Sequence, residues 1–236
     1  MTETDTIAAR VAALTWETIA AEVDAYGAAR IGPLLTASEC EALAALYETD
    51  AFRSRVAMAR HGFGSGEYQY FADPLPDSVV ALRAALYPHA AAIANGWAAR
   101  LGTAPWPQTL RELRAMCAES GQTKPTPLLL KYVEGDYNCL HQDLYGDIVF
   151  PLQLVVLLTD PAEFDGGAFV LTEQRPRMQS RAEVITMARG EAVLFATAIK
   201  PRRGKSGDHR VNLRHGVSRL TRGTRMTLGV IFHNAR

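Results

Sequence analysis

The stretch Tyr132-Val-Glu-Gly-Asp-Tyr-Asn-Cys-Leu-His141-Gln-Asp143 decides how the rest of the chain is read. It has a distant partner in His215-Gly-Val-Ser-Arg-Leu-Thr-Arg-Gly-Thr-Arg225-Met-Thr227. In a strand, residues i and i+2 point to the same face, so His141 and Asp143 can aim at one point while Gln142 turns away. His215, heading another apolar run, can complete a triangle from a facing strand. Two imidazoles and one carboxylate on one side of a metal leave coordination positions open, a donor set suited to a redox-active divalent ion. Such a triangle needs strands around a cavity, and the segments on either side bear on that requirement.

After Lys124-Pro-Thr-Pro127, the runs Leu128–Val133, Val149–Leu158, Ala168–Leu171, Ala192–Ala198 and Met226–Phe232 are short, apolar or alternating, and separated by Gly, Asp and Pro. This pattern predicts a β-sandwich or barrel. Before it, Ile7, Val11, Leu14, Ile19 and Val23 recur at helical spacing up to Gly27, predicting a helix over 6–26. Ala28–Leu35 reads as a strand, and Thr36-Ala-Ser-Glu39 as a capping box opening the next helix. Val56–Met58 and Tyr68–Phe71 read as strands around the turn Gly62-Phe-Gly-Ser-Gly66. Pro76 opens a helix towards Tyr87, with Pro88 kinking it or beginning another that runs through Ile93 and Trp97 to Gly102. Pro107–Glu119 is a further helix. The expected architecture is α+β and a single domain over 1–236, with 1–125 mainly helical support and 126–236 the catalytic core.

The 236 residues are 48% hydrophobic, ample for a core. The acidic start Met1-Thr-Glu-Thr-Asp lacks a signal-peptide pattern, and no apolar run approaches the roughly 18 residues of a membrane span. Cys40, Cys117 and Cys139 are odd in number and scattered, which suits a reducing compartment, with the cytoplasm as the expected location. The net charge of zero hides an asymmetry. From residue 172 onward there are 14 Lys and Arg against 4 Asp and Glu, and the surplus of ten is balanced by residues 1–171. Lys200-Pro-Arg-Arg-Gly-Lys205, followed by Arg210, Arg214, Arg219 and Arg222, predicts either a face that attracts phosphates or a solvated loop.

Arg225 adds a planar fork suited to a carboxylate. Lying ten residues past His215, it shares the histidine's face if one strand carries both. Thr227 lies two residues further, and Tyr132 brings a phenol from the preceding strand. Tyr132-x-x-Gly135-x-x-x-x-x-His141-x-Asp143 resembles the corresponding segment of prolyl-4-hydroxylase-like and AlkB-like 2-oxoglutarate/Fe(II) oxygenases, with Leu140-His-Gln-Asp143 closer to the latter. Asp165-Gly-Gly-Ala-Phe169 and Gly190-Glu-Ala-Val-Leu-Phe195 resemble the intervening signatures, and His215…Arg225-x-Thr227 the closing one. The resemblance covers roughly 128–234. It implies a double-stranded β-helix (jelly-roll) core with an N-terminal helical layer, and Fe(II) on His141, Asp143 and His215. It also implies 2-oxoglutarate on Arg225, Thr227 and Tyr132, with O2 as oxidant and hydroxylation of a substrate C–H bond. The His–Arg spacing is of the hydroxylase kind, whereas AlkB-like enzymes space the two further apart. The whole chain also resembles a bacterial oxygenase family described as acting on alkylated, damaged DNA.

Plainer roles compete for several residues. His209 rivals His215, since Arg219 lies ten residues beyond it, but its glycine-rich basic surroundings read as a loop. His233 and His89 read as structural, and His61 as a surface residue beside a flexible loop. Cys139 reads as a small buried hydrophobe. Tyr68, Tyr70 and Phe71 form either an aromatic wall against substrate or core packing. Arg175, Arg177 and Arg181 lie in a long connection where barrels carry substrate loops. The substrate readings are nucleic acid bound through the basic section, or a peptide or small molecule. A module that senses 2-oxoglutarate or metal without turnover is the non-enzymatic alternative.

Overall fold

The computed structural model describes residues 6–175, 178–205 and 207–236. The helix expected over 6–26 is two, α1 (Ile7–Ala12) and α2 (Trp16–Tyr26). The Trp16 indole donates to the Val11 carbonyl at 3.0 Å and holds the corner between them. Gly27 ends α2 in the left-handed region at φ 85, where a Cβ would lie 2.3 Å from Leu213. This close approach delivers the chain into β1 (Ala28–Ile31). The Thr36–Glu39 capping box opens α3 (Ala37–Ala45) as expected. The strands β2 (Phe52–Ala57), β3 (Gly64–Ser65) and β4 (Glu67–Phe71) follow.

A single 25-residue helix, α4 (Asp77–Leu101), passes through Pro88. Proline removes one helical hydrogen bond, but Leu86, Tyr87, Ala90, Ala91 and Ala94 are buried on both sides of it, so packing outweighs the local cost. Helix α5 (Leu110–Glu119) starts later than Pro107 because Thr109 and Glu112 form its capping box.

The remaining strands are β5 (Leu128–Val133), β6 (Tyr137–His141), β7 (Leu152–Leu157), β8 (Phe164–Gly166), β9 (Phe169–Gln174), β10 (Arg181–Ile185) and β11 (Ala192–Ala196), then β12 (Ile199–Gly204), β13 (Gly207–Val217) and β14 (Leu220–Ile231). The larger sheet runs β1-β11-β7-β14-β5-β4-β2, with β8 beside β14. The smaller runs β10-β9-β13-β6-β3, with β12 beside β13. Segments from the first 125 residues thus extend both edges of the larger sheet, besides supplying helices.

The larger sheet is covered on both faces, which explains why Ala192–Ala196 is buried throughout rather than alternating. From β14, Thr227, Gly229 and Ile231 line a cavity between the sheets, while Leu228, Val230 and then Phe232 turn the other way. Phe232 meets Tyr87 of α4 at 5.7 Å. The loop expected around His209 is strand: β12 and β13 form a hairpin in which His209 pairs with Arg202. Polar residues on its inward face hid the alternation.

Candidate metal centre and its surroundings

Strands β6 and β13 run antiparallel as neighbours, and His215 lies directly opposite His141 in their register. Their rings are 4.2 Å apart. His215 sits near the end of β13 rather than heading an apolar strand, and Asp143 lies just beyond β6 rather than within it. The carboxylate reaches both imidazoles all the same. Asp143 Oδ1 is 3.5 Å from His141 Nε2, and Oδ2 is 3.2 Å from His215 Nε2. One donor atom from each residue falls within 4.8 Å of the others, an arrangement that can hold a metal ion.

Two residues missed in the sequence fix the carboxylate. Tyr145 donates to Asp143 Oδ1 at 2.6 Å, and Gln153 of β7 donates to Oδ2 at 2.8 Å. His141 Nδ1 lies 2.7 Å from the Cys139 carbonyl, which requires a proton on Nδ1 and leaves Nε2 free as a ligand atom. Gln142 borders the same cavity, and its amide donates to the carbonyls of Ala198 and Leu213. Burial alone would raise the Asp143 carboxyl, but hydrogen bonds and charge from His141 and His215 hold it well below its usual range. Burial lowers His215 by more than Asp143 restores, favouring the neutral imidazole that binds metals. For His141 burial also lowers the value, but Asp143 and the Cys139 carbonyl outweigh it and the net shift is upward.

Arg225 does not continue His215's strand. The chain turns at Ser218-Arg219, and Arg225 lies on β14 in the larger sheet, paired with Tyr132 of β5. The even spacing works because the turn carries the arginine across to the other sheet. Its side chain is buried, and its Nη1 meets no hydrogen-bond acceptor among the described residues. Burial pushes the guanidinium down to about 10, with a smaller opposing influence from Tyr132. Tyr132 and Thr227, its neighbours across and along the sheet, line the same cavity as the His–Asp–His cluster. Asn138 donates to the Tyr132 hydroxyl at 3.3 Å. A buried guanidinium short of a partner is costly, and a carboxylate offered in bidentate fashion satisfies it. This orphaned cation fits a dicarboxylate cosubstrate, and the three donors fit Fe(II).

Other candidates divide clearly. Tyr68 lines the cavity, Tyr70 packs edge-on behind it, and Phe71 belongs to the core. Cys139 is exposed rather than buried. His61 is exposed and stacks on Phe63, His89 stacks on Trp16, and buried His233 accepts from the Phe150 amide. Arg175 and Arg181 pair with buried Glu173, and Arg177 lies outside the described residues. The basic section is not one face. Lys200 and Arg202 also converge on Glu173, while Arg203 and Arg222 pair with Asp208 and Asp165. Lys205, Arg210, Arg214 and Arg219 remain exposed without an ion-pair partner among the described residues.

Among solved structures, the chain is similar to a Pseudomonas putida prolyl-4-hydroxylase, with TM-score 0.57 and 17% identity over 94% of this chain and 100% of that one. It is also similar to an oxidoreductase of the 2OG-Fe(II) oxygenase family from Burkholderia pseudomallei, with TM-score 0.55 and 15% identity over 94% and 93%. At these identities the likeness is one of fold, and the fold is the jelly roll of those oxygenases. In Mycobacterium tuberculosis (strain H37Rv), uncharacterized protein Rv2227 is 46% identical over 167 residues, covering 70% of this chain and 72% of that protein. The profile of a family described as "Oxygenase, catalysing oxidative methylation of damaged DNA" matches residues 66–235, which include every residue of the metal-site cluster and Arg225. The chain belongs to this oxygenase family, built on the fold of the 2-oxoglutarate/Fe(II) enzymes.

Proposed function

We propose that His141, Asp143 and His215 hold Fe(II), that Arg225 with Thr227 and Tyr132 holds 2-oxoglutarate, and that the bond oxidised belongs to a methyl group on an alkylated DNA base or nucleotide. The observation that carries the reading is a His–Asp–His cluster that shares one cavity with Tyr132 and Thr227, backed by the buried Arg225, which pairs with Tyr132 across the sheet and whose Nη1 meets no acceptor among the described residues. Bound Fe(II), with 2-oxoglutarate and O2, supplies C–H hydroxylation while 2-oxoglutarate becomes succinate and CO2. On an N-methyl group the product is a hemiaminal, which releases formaldehyde and leaves N–H on the base.

The residues divide the remaining work. Gln153 and Tyr145 orient the Asp143 carboxylate, and the Cys139 carbonyl holds the His141 ring with Nε2 inward. Arg225 neutralises and orients the distal carboxylate of the cosubstrate. The apolar walls formed by Leu128, Leu130, Val155 and Ile231 keep water from the reacting atoms. Residues 1–236 act as a single unit in this reading, with the first 125 residues as support. The three free cysteines accord with a reducing, cytoplasmic setting.

The family description supports the DNA substrate. A peptide or small-molecule hydroxylase is the second reading, favoured by the internal pairing of much of the basic section. The deciding experiment measures succinate from anaerobically iron-loaded enzyme, with and without N-methylated single-stranded DNA, while following the base by mass spectrometry. Stimulated succinate with loss of the methyl group supports the DNA reading. Slow, unstimulated succinate redirects the search to peptides and small molecules. No succinate from protein shown to hold iron would overturn the catalytic assignment.

A further inference from the structure

The mouth of the cavity carries an aromatic ring that has no role in packing the core. Phe63 lines the cavity and is still 47% exposed. Its backbone is tied down on both sides: its amide donates to the Met58 carbonyl at 3.2 Å, and its carbonyl accepts from the Cys139 amide at 2.8 Å. The His61 ring stacks on it at 5.3 Å. Gly64, at φ 124, lets the turn lie against β6, since a Cβ there would come 2.4 Å from the Tyr137 carbonyl. The ring is therefore referenced to the strand that carries His141. Of the exposed large hydrophobics among the described residues, Phe63 alone lines the cavity, where its ring face can be covered by a flat substrate.

The charge inside decides which flat partner. Among the described residues lining the cavity, Asp143 is the one carboxylate, and both its oxygens are already engaged by Tyr145, Gln153 and the histidines. With the proposed groups bound, two positive charges on iron and one on Arg225 balance one negative charge on Asp143 and two on 2-oxoglutarate. A cationic ring brought into this apolar, balanced site loses its hydration and gains no counter-charge. The attraction of a cation for the Phe63 face is small at an exposed position and does not offset that loss. A neutral ring gains apolar burial without the penalty, and Asn138 in the wall offers a hydrogen bond.

Resting on the DNA reading above, we propose that this site selects an uncharged methylated ring, lying on Phe63 at the mouth, over a cationic one. N3-methylthymine and N3-methylcytosine test this directly, being close in shape while only the latter is positively charged at neutral pH. Fluorescence anisotropy would follow single-stranded oligonucleotides carrying either base, bound anaerobically to enzyme loaded with iron and 2-oxoglutarate. The expected result is about tenfold tighter binding of the methylthymine strand. The gap should close as pH rises and methylcytosine loses its charge. Phe63→Ala and Phe63→Leu, each shown folded by circular dichroism, should lose most of the preference of the enzyme for methylated over unmethylated strands. Equal or tighter binding of the methylcytosine strand at neutral pH would overturn the inference while leaving the DNA reading in place. If neither methylated strand binds better than the unmethylated one, the DNA reading fails and the inference with it.

Discussion

Arg225 and Gln153 show how single side chains set this site. Arg225 is a buried cation whose Nη1 lacks an acceptor, so its presence costs the cosubstrate-free protein stability. Arg225→Met should raise the 2-oxoglutarate dissociation constant by roughly tenfold or more, as expected for a lost charge-assisted pair. The same substitution should leave the cosubstrate-free protein as stable or about 1–3 kcal/mol more stable. Titration calorimetry and urea unfolding check the two halves, and unchanged 2-oxoglutarate binding would refute the role. Gln153→Leu keeps the volume in β7 but frees Asp143 Oδ2. Metal affinity should fall by roughly 10- to 100-fold in a competition titration. The His141, Asp143 and His215 cluster was legible in the sequence because the His-x-Asp pair, weak by itself, came with a third imidazole, an arginine ten residues beyond it and the resemblance to a known motif. Gln153 was not, since a lone amide in Leu152-Gln-Leu-Val-Val-Leu157 becomes informative only once β7 is seen to face Asp143.

At the scale of elements, strands with apolar runs were readable and the β12–β13 hairpin was not. Its inward positions carry Lys200 and Arg202, which Glu173 of β9 meets there, with the Asp24 carbonyl accepting a further bond from Lys200. Pairing of this kind spans the sheet and leaves no local pattern. Burial would raise the Glu173 carboxyl, yet Arg175, Lys200, Arg202 and Arg181 together hold it below its usual value. Glu173→Gln removes the buried carboxylate on which Arg175, Arg181, Lys200 and Arg202 converge and should destabilise the fold by about 3–5 kcal/mol in chemical unfolding. A loss within experimental error would mean the cluster is solvated rather than structural. The same pairing changes which residues are available to phosphates. Replacing Lys205, Arg210, Arg214 and Arg219 with Glu should flatten the salt dependence of single-strand binding, by about three in the log–log slope if all four touch phosphate. An unaltered slope would place the strand elsewhere on the surface.

For the molecule as a whole, stability should depend on acid through His233, which lies where the end of β14 meets α4 and the helical layer. Burial pushes its imidazole from 6.5 down to about 4. Between those values the unfolded chain takes up a proton that the folded chain refuses, so stability falls as pH drops from about 6.5 towards 4, by roughly 3 kcal/mol in all. His233→Asn can still accept from the Phe150 amide and should remove most of the difference in unfolding free energy between pH 7 and pH 5. If the variant keeps the full acid sensitivity of the parent, other groups are responsible. The division into a helical first half and a strand-rich second half was legible from periodicity. That β1, β2 and β4 complete the larger sheet was not, because sheet partners far apart in sequence leave no mark on either segment.

The two histidines belong to the smaller sheet, while Asp143 is tied through Gln153 to the larger. An ion held by all three donors is therefore a clasp across the mouth of the barrel, and closing it adds stability in proportion to the logarithm of free metal, about 2.7 kcal/mol at a hundredfold excess over the dissociation constant. By the same linkage, protein without the ion samples the open barrel more often than protein that holds it.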